Sequence, residues 1–294
     1  MTTTITGFTL TKFVIIESLD ATEMQTGASL AEYIRGVGET NDLPITVELT
    51  SCGNSNNFRE IFHKLTLDAQ SGEIPVVDDE CHGHPAAGLL FADGSNMPWT
   101  EVAALSLKLN IACRFNLLVR YSACFGGYFL QEMGTITPSP CWCVIAPTES
   151  VNPAEIMRGL RLFYEALIRT LDIGKAIAQL QRETLTHGRW FAKAAEIWFQ
   201  QLTIYYIEHH CIRAEMKKRV MLIHEQLKKR GKIVAPALIE IALKEKNRAN
   251  LTTKYFDRYF LIDEIPENAQ RFVGARIRLL QSIDKLRASG RYLI

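Results

Sequence analysis

The sequence predicts an α/β fold: a mostly parallel sheet flanked by helices, followed by an all-helical C-terminal region. Two observations carry this reading. From Phe8 to Ala146, short β-rich runs alternate with segments of helical periodicity, the order that builds a parallel sheet covered on both faces. From Pro153 onwards the apolar residues recur only at helical spacing, and no convincing strand is found. The expected division is an α/β domain over 1–186 and a helical region over 187–294.

The elements follow in order. Phe8 to Ser18 is β-rich and reads as the first strand. Ala28 to Val37 carries Leu30, Tyr33, Ile34 and Val37 on one helical face, with Thr26 or Ser29 as cap and Gly36 and Gly38 closing it. Pro44 to Leu49 is a second strand. Phe58 to Ala69 is a helix with Phe58, Ile61, Phe62 and Leu65 as its stripe and caps available from Asn54 to Asn57. Ile74 to Val77 is short and continuously apolar, as in a strand buried on both faces; Asp78, Asp79 and Glu80 are then expected to carry the chain to the surface. Gly88 to Ala92 with Asp93-Gly94 reads as a hairpin-like excursion. A helix is expected over Trp99–Arg114, a strand over Asn116–Tyr121, a helix over Phe125–Met133, a loop over Gly134–Pro140 and a last strand over Cys141–Ala146. Beyond these, Pro153–Thr170 and Asp172–Thr184 are helices, Arg189–Arg230 is one long helix or two, and Pro236–Lys246, Thr252–Leu261 and Glu267–Ser289 complete a helical tail.

Composition narrows the function classes. At 47% hydrophobic and 22% charged, the chain is ordinary for a soluble globular protein. No run is long and apolar enough to span a membrane, and the N-terminus has no basic segment before its apolar run, so no secretory signal is read. The 7 cysteines are odd in number, scattered and without a CxxC pair; a reducing, cytoplasmic setting is expected. Residues 1–150 hold 7 Lys and Arg against 17 Asp and Glu, whereas residues 151–294 hold 26 against 15. The basic residues of the second half are interleaved with acids, which favours solvated helix faces over a nucleic-acid surface. No GxxxxGK[ST] loop is present, nor a GxSxG elbow, so nucleotide hydrolysis and serine-hydrolase chemistry have no footing.

Two apolar runs end on reactive residues: Ile74–Val77 leads to His82-Gly83, and Asn116–Tyr121 leads to Ser122-Ala123-Cys124 with Gly126-Gly127 behind. A thiol attacks a peptide carbonyl only as thiolate, and a nearby imidazole supplies both the charge and the proton path. His82 and Cys124 are too far apart in sequence for local contact, but two parallel strands joined by a helical crossover can deliver them to one sheet edge. Small neighbours leave room for a substrate backbone, and a helix starting near Phe125 is expected to aim its N-terminus at the sulfur. His84 is the competing histidine. Cys81, Cys141 and Cys143 read as packing residues, one Cys81–His82 pair lacks the further ligands of a zinc site, and His209-His210-Cys211 cannot share one helix face. The aromatic set Trp190, Phe191, Trp198, Phe199, Tyr205 and Tyr206 has helical spacing and reads as core or partner interface. Lys217-Lys218-Arg219 and Lys228-Lys229-Arg230 read as solvated.

The ordered set His82-Gly83, Asp93-Gly94, Ser122-Ala123-Cys124 and Phe163-Tyr164-Glu165-Ala166-Leu167, closed by Ala176 to Glu183, resembles the caspase-like cysteine peptidases and, within them, the bacterial CHAT domains. The likeness covers about residues 8–186. It implies a caspase-like sheet, Cys124 as nucleophile, His82 as proton donor to the leaving amine, and the backbone amides of Gly83 and Cys124 as oxyanion donors. It implies a protein substrate, a regulatory protein partner or effector complex, a setting in antiviral defence or cell death, and neither metal nor cofactor. Ser122 stands where the caspase block Q-A-C-[RQG]-G has Gln, so specificity for aspartate does not carry over. Asp78, Asp79 and Glu149, with Ser122, are the substrate-binding candidates, and their charge favours a basic side chain before the scissile bond. Two rivals are a catalytically silent adaptor and a sensor with a nucleic-acid-binding basic tail.

Overall fold

A computed structural model describes residues 3–5, 8–133 and 137–294. Part of the loop expected at 134–140 therefore lies outside the described residues. Apart from the short segment 136–138, the chain divides into a unit that runs to Ala194 and a unit from Ala195 to Ile294.

The first unit is an α/β structure. Its elements are β1 (Thr3–Ile5), β2 (Phe8–Leu10), β3 (Lys12–Ser18), α1 (Thr26–Thr40), β4 (Thr46–Ser51), α2 (Ser55–Gln70), β5 (Pro75–His84), β6 (Gly88–Leu90), β7 (Asn96–Met97), α3 (Trp99–Ala112) and β8 (Leu118–Tyr121). A 3-10 turn over Gly126–Phe129 runs into the single turn α4 (Leu130–Met133), and β9 (Cys143–Pro147), α5 (Pro153–Thr170), α6 (Ile173–Leu180) and β10 (Trp190–Ala194) follow. The main sheet has the order β10-β9-β8-β5-β3-β4, and β1 and β2 form a separate hairpin. β4, β3, β5, β8 and β9 are parallel to their neighbours, and β10 joins β9 antiparallel.

The buried strands explain this order. Val14 and Ile15 of β3, Val76 and Val77 of β5, and all of β8 and β9 are buried, as required of strands covered on both faces. Local chemistry sets the helix starts. The Asn54 side chain accepts from the Asn56 and Asn57 N–H groups before α2, and Asn152 and Glu155 form a capping box on α5 with Pro153 at its first turn. The expected Thr26 or Ser29 cap is corrected: Glu17 reaches from β3 to accept from Gly27 and Ala28, at 2.7 and 3.2 Å, so a carboxylate holds the N-terminus of α1. That helix continues through Gly36 and Gly38 to Thr40.

Three further expectations are corrected. Asp78, Asp79 and Glu80 do not lead to the surface: β5 continues through them, with Asp78 and Asp79 paired in register to Arg120 and Tyr121 of β8. The helix expected over Phe125–Met133 is a 3-10 turn and one α-turn. A strand exists after Pro153, since Trp190–Ala194 pairs with Pro147–Cys143. Trp190 and Phe191 therefore belong to a strand rather than to a helix stripe. The Trp190 indole lies against Gly159 of α5, where an added Cβ would come within 2.8 Å of the ring.

The second unit comprises α7 (Ala195–His210), α8 (Arg213–Lys229), α9 (Pro236–Thr252), α10 (Lys254–Tyr259), α11 (Asn268–Arg271) and α12 (Val273–Ala288). Its centre is aromatic: Phe199 meets Phe256, Tyr259 and Phe260 with ring centroids 4.8–5.6 Å apart. Arg219 is not simply solvated; one guanidinium nitrogen donates to the Tyr206 hydroxyl at 2.7 Å. No helix among the described residues is long and apolar enough to cross a membrane.

Candidate active site

The parallel strands β3, β5, β8 and β9 all release the chain at one edge of the sheet. That edge gathers Leu19–Gln25 after β3, His82-Gly83 at the far end of β5, Ser122–Cys124 after β8 and Thr148–Val151 after β9. β4 and β5 lie on opposite sides of β3, so the order of strands reverses between β3 and β5. In open α/β sheets such a reversal opens a crevice at the carboxyl ends of the strands. A cavity of about 210 Å³ lies there, bounded on its polar side by Glu23, Thr26, Cys81, His82, Ser122 and Cys124.

The two sequence motifs touch through their backbones. A Cβ on Gly83 would sit 2.1 Å from the Cys124 carbonyl oxygen and 2.9 Å from the Ala123 Cβ, so only glycine fits there. Gly126 is held in the same way against Tyr121 and Ala146, each 3.0 Å from its missing Cβ. Between Cys124 and Gly126, Phe125 is left-handed with φ 61°, a conformation that costs a bulky side chain roughly 1–2 kcal/mol. Its N–H donates to the Glu149 carbonyl at 3.1 Å. This sharp turn presents Cys124 at the edge.

Cys124 is half-exposed, whereas the other six cysteines are buried. Burial raises the Cys81 and Cys141 thiols well above the ordinary range. Burial, assisted by the Asp79 carboxyl, takes Cys52 up to about 12. The Cys124 sulfur receives the Val151 N–H at 3.5 Å and lies 3.7 Å from the Ser150 hydroxyl. The amide at the sulfur thus comes from the approach to α5, not from the turn after Phe125, which is too short to build a dipole.

His82 bonds through Nε2 to Glu23 Oε1 at 2.7 Å. The other oxygen of Glu23 accepts the Asp20 N–H at 2.7 Å. That backbone donor first, and His82 after it, hold Glu23 below the usual carboxylate range. The hydrogen bonds of His82 and Cys124 run to Glu23 and to Ser150–Val151 respectively, not to each other. Glu23 was not singled out from the sequence; the available signal was its place in the first loop after a parallel strand, which must reach the same edge. His84 is occupied elsewhere: its Nδ1 accepts from Ala86 and Ala87, both at 3.1 Å, and shapes the β5–β6 turn.

Beneath the cavity lies a buried ionic cluster. Arg120 donates from Nε to Asp78 at 2.5 Å, from Nη2 to Glu80 at 2.9 Å, and from Nη1 to the Ser122 hydroxyl. Tyr164 donates to the other oxygen of Asp78, and Thr26 Oγ1 donates to Glu80 at 2.7 Å. Burial works against the Arg120 charge, but Asp78 and Glu80 more than offset it and hold the guanidinium above its ordinary range. Burial likewise raises Asp78, with Arg120 pulling the other way. Asp79 faces away from this cluster; neither of its oxygens has a hydrogen-bond partner among the described residues, and burial first, then Asp78, raises it well above the ordinary range.

Asp78 and Asp79, expected to meet substrate, are 0% and 1% exposed and do not line the cavity. Glu149 is exposed, and its side chain lies beside Gly188 rather than in the cavity wall. Of the four substrate-binding candidates, Ser122 alone reaches the cavity. No family model matches this sequence, and no curated protein matches it significantly.

Proposed function

We propose that this protein is a cysteine endopeptidase in which Cys124 is the nucleophile, His82 the proton carrier and Glu23 the residue that orients His82. The observation that carries the reading is the backbone contact of Gly83 with Ala123-Cys124, which brings the imidazole and the half-exposed thiol to one cavity at a strand-order reversal. The order of motifs, similar to that of the bacterial CHAT-type caspase-like peptidases, supports the same chemistry.

In this mechanism the Cys124 thiolate adds to the scissile carbonyl carbon. The carbonyl electrons move to oxygen, where the Cys124 and Gly83 backbone amides are the proposed donors. Collapse breaks the C–N bond, and His82 delivers its proton to the departing amine, leaving a thioester on Cys124. Water, deprotonated by His82, then hydrolyses the thioester and restores the thiol. Glu23, ionised and anchored on the Asp20 amide, stabilises the imidazolium between these steps. Control by a partner or effector, in defence or cell death, is the proposed setting; its support is the resemblance alone.

The test is digestion of a peptide library by wild type and by Cys124→Ala, with cut sites read by mass spectrometry and the native partners added. Cutting by wild type and none by the variant is expected. No cutting by wild type in their presence overturns the proposal, and equal cutting by the variant removes Cys124 from it.

A further inference from the structure

We propose that the cavity beside Cys124 is the pocket for a basic side chain, lysine or arginine, on the acyl side of the scissile bond. This rests on the peptidase reading above and adds the substrate class to it.

The walls suit an extended aliphatic stem. Leu19, Met24, Val151 and Ile156 line the cavity together with the polar residues of the edge, and its volume of about 210 Å³ accommodates a long side chain. Lysine and arginine bury such stems readily while keeping their heads near polar partners.

The floor has the polarity to receive a cation. Arg120 bonds to Ser122 of the cavity wall, but its guanidinium is 0% exposed and already engaged with Asp78, Glu80 and Ser122. Among the described residues neither lysine nor arginine lines the cavity, and the basic residue in its wall, His82, is paired with Glu23. Two carboxyls thus face one guanidinium below, and Glu23 balances His82 at the rim. An aspartate or glutamate side chain would find no uncommitted positive partner, and its desolvation would go uncompensated.

Hydrogen-bond direction points the same way. Arg120 can only donate, so the Ser122 hydroxyl accepts from it and keeps its own proton for an acceptor such as a backbone carbonyl; Thr26 is turned the other way. Thr26 donates its proton to Glu80 at 2.7 Å, which leaves only acceptor lone pairs on Thr26 for a ligand. An ammonium or guanidinium supplies the donors that these lone pairs require; a carboxylate cannot.

The experiment uses four acyloxymethyl ketone probes of one peptide sequence, ending in Lys, Arg, Leu or Asp. Rates of labelling at Cys124 are read by intact mass, and iodoacetamide serves as a control for the thiol. Lys and Arg probes are expected to label faster than Leu and Asp by roughly tenfold or more. Met24→Lys, at a rim position that is 58% exposed and hence safe for folding, is expected to erase most of that preference. Thr26→Val is expected to reduce it by removing the acceptor. Equal or faster labelling by Leu or Asp overturns the basic pocket while leaving the peptidase reading intact. Failure of all four probes, with iodoacetamide still modifying Cys124, overturns both. An unchanged preference in Met24→Lys removes the electrostatic basis argued above.

Discussion

Gly83→Ala is the most demanding perturbation of the site, because it tests the contact that joins the two motifs. The added methyl would lie 2.1 Å from the Cys124 carbonyl oxygen, and separations under 3.0 Å are not tolerated by real Cβ atoms. The obstacle is backbone, not a flexible side chain, and the Ala123 Cβ at 2.9 Å blocks the sideways escape. Relief therefore needs β5 and the Ser122–Cys124 segment to part by about 1 Å, the difference between those two separations. Overpacking of this kind costs about 1–3 kcal/mol of stability, and a displacement of about 1 Å at a catalytic pair lowers the rate on the order of 100-fold. Urea unfolding measures the first quantity, and kcat/KM on the best library peptide measures the second. Labelling of Cys124 by iodoacetamide should change little, because the thiol itself stays half-exposed. A Gly83→Ala protein with wild-type stability and wild-type kcat/KM would refute the close approach and with it the assembly of the site.

Three further outcomes are expected. Under native conditions one thiol of the 7 should react rapidly with a chromogenic disulfide, and Cys124→Ala should abolish that phase; the rest should react only on unfolding, because burial hides them. Arg120→Met should destabilise the fold by about 3–5 kcal/mol in urea titration, since it leaves the buried Asp78 and Glu80 without their cation. Asp79 retains its proton in the folded state to a pH well above the ordinary carboxylate range. Its contribution is therefore complete at low pH and declines once the unfolded chain begins to lose that proton, at roughly pH 4. Relative to wild type, Asp79→Asn should gain up to about 1.4 kcal/mol per pH unit above that point, until the folded-state pKa is reached; a pH-independent difference between the two unfolding curves would contradict it.

Much of this architecture was legible because periodicity reports burial. The alternation of β-rich runs with amphipathic helices gave the parallel sheet, and Asn54, Asn152 and Pro153 marked helix starts through their own side chains. What escaped the sequence depended on partners distant along the chain. Asp78, Asp79 and Glu80 look like a surface turn because three adjacent acids are costly to bury; the compensating Arg120 lies on the next strand and Tyr164 on a helix 86 positions beyond Asp78. β10 was hidden because Trp190 and Phe191 fit the helical spacing of the aromatics that follow. The edge position of His82 and Cys124 followed from strand order, whereas Glu23 sits in a loop whose sequence carries no pattern, and its role emerges only from its contact with His82. Likewise, the amide at the Cys124 sulfur comes from Val151, which no local motif connects to it.

In the proposed mechanism Cys124 forms the covalent bond with substrate. The direct measurement is acid quenching of the protein with a cleavable peptide ester, followed by digestion and mass spectrometry of the acylated fragment. A thioester on Cys124 is expected, absent in Cys124→Ala and accumulating in His82→Ala if an activated ester still acylates the thiol. Turnover of the peptide without any acyl group on Cys124, or with the acyl group on another residue, would contradict it.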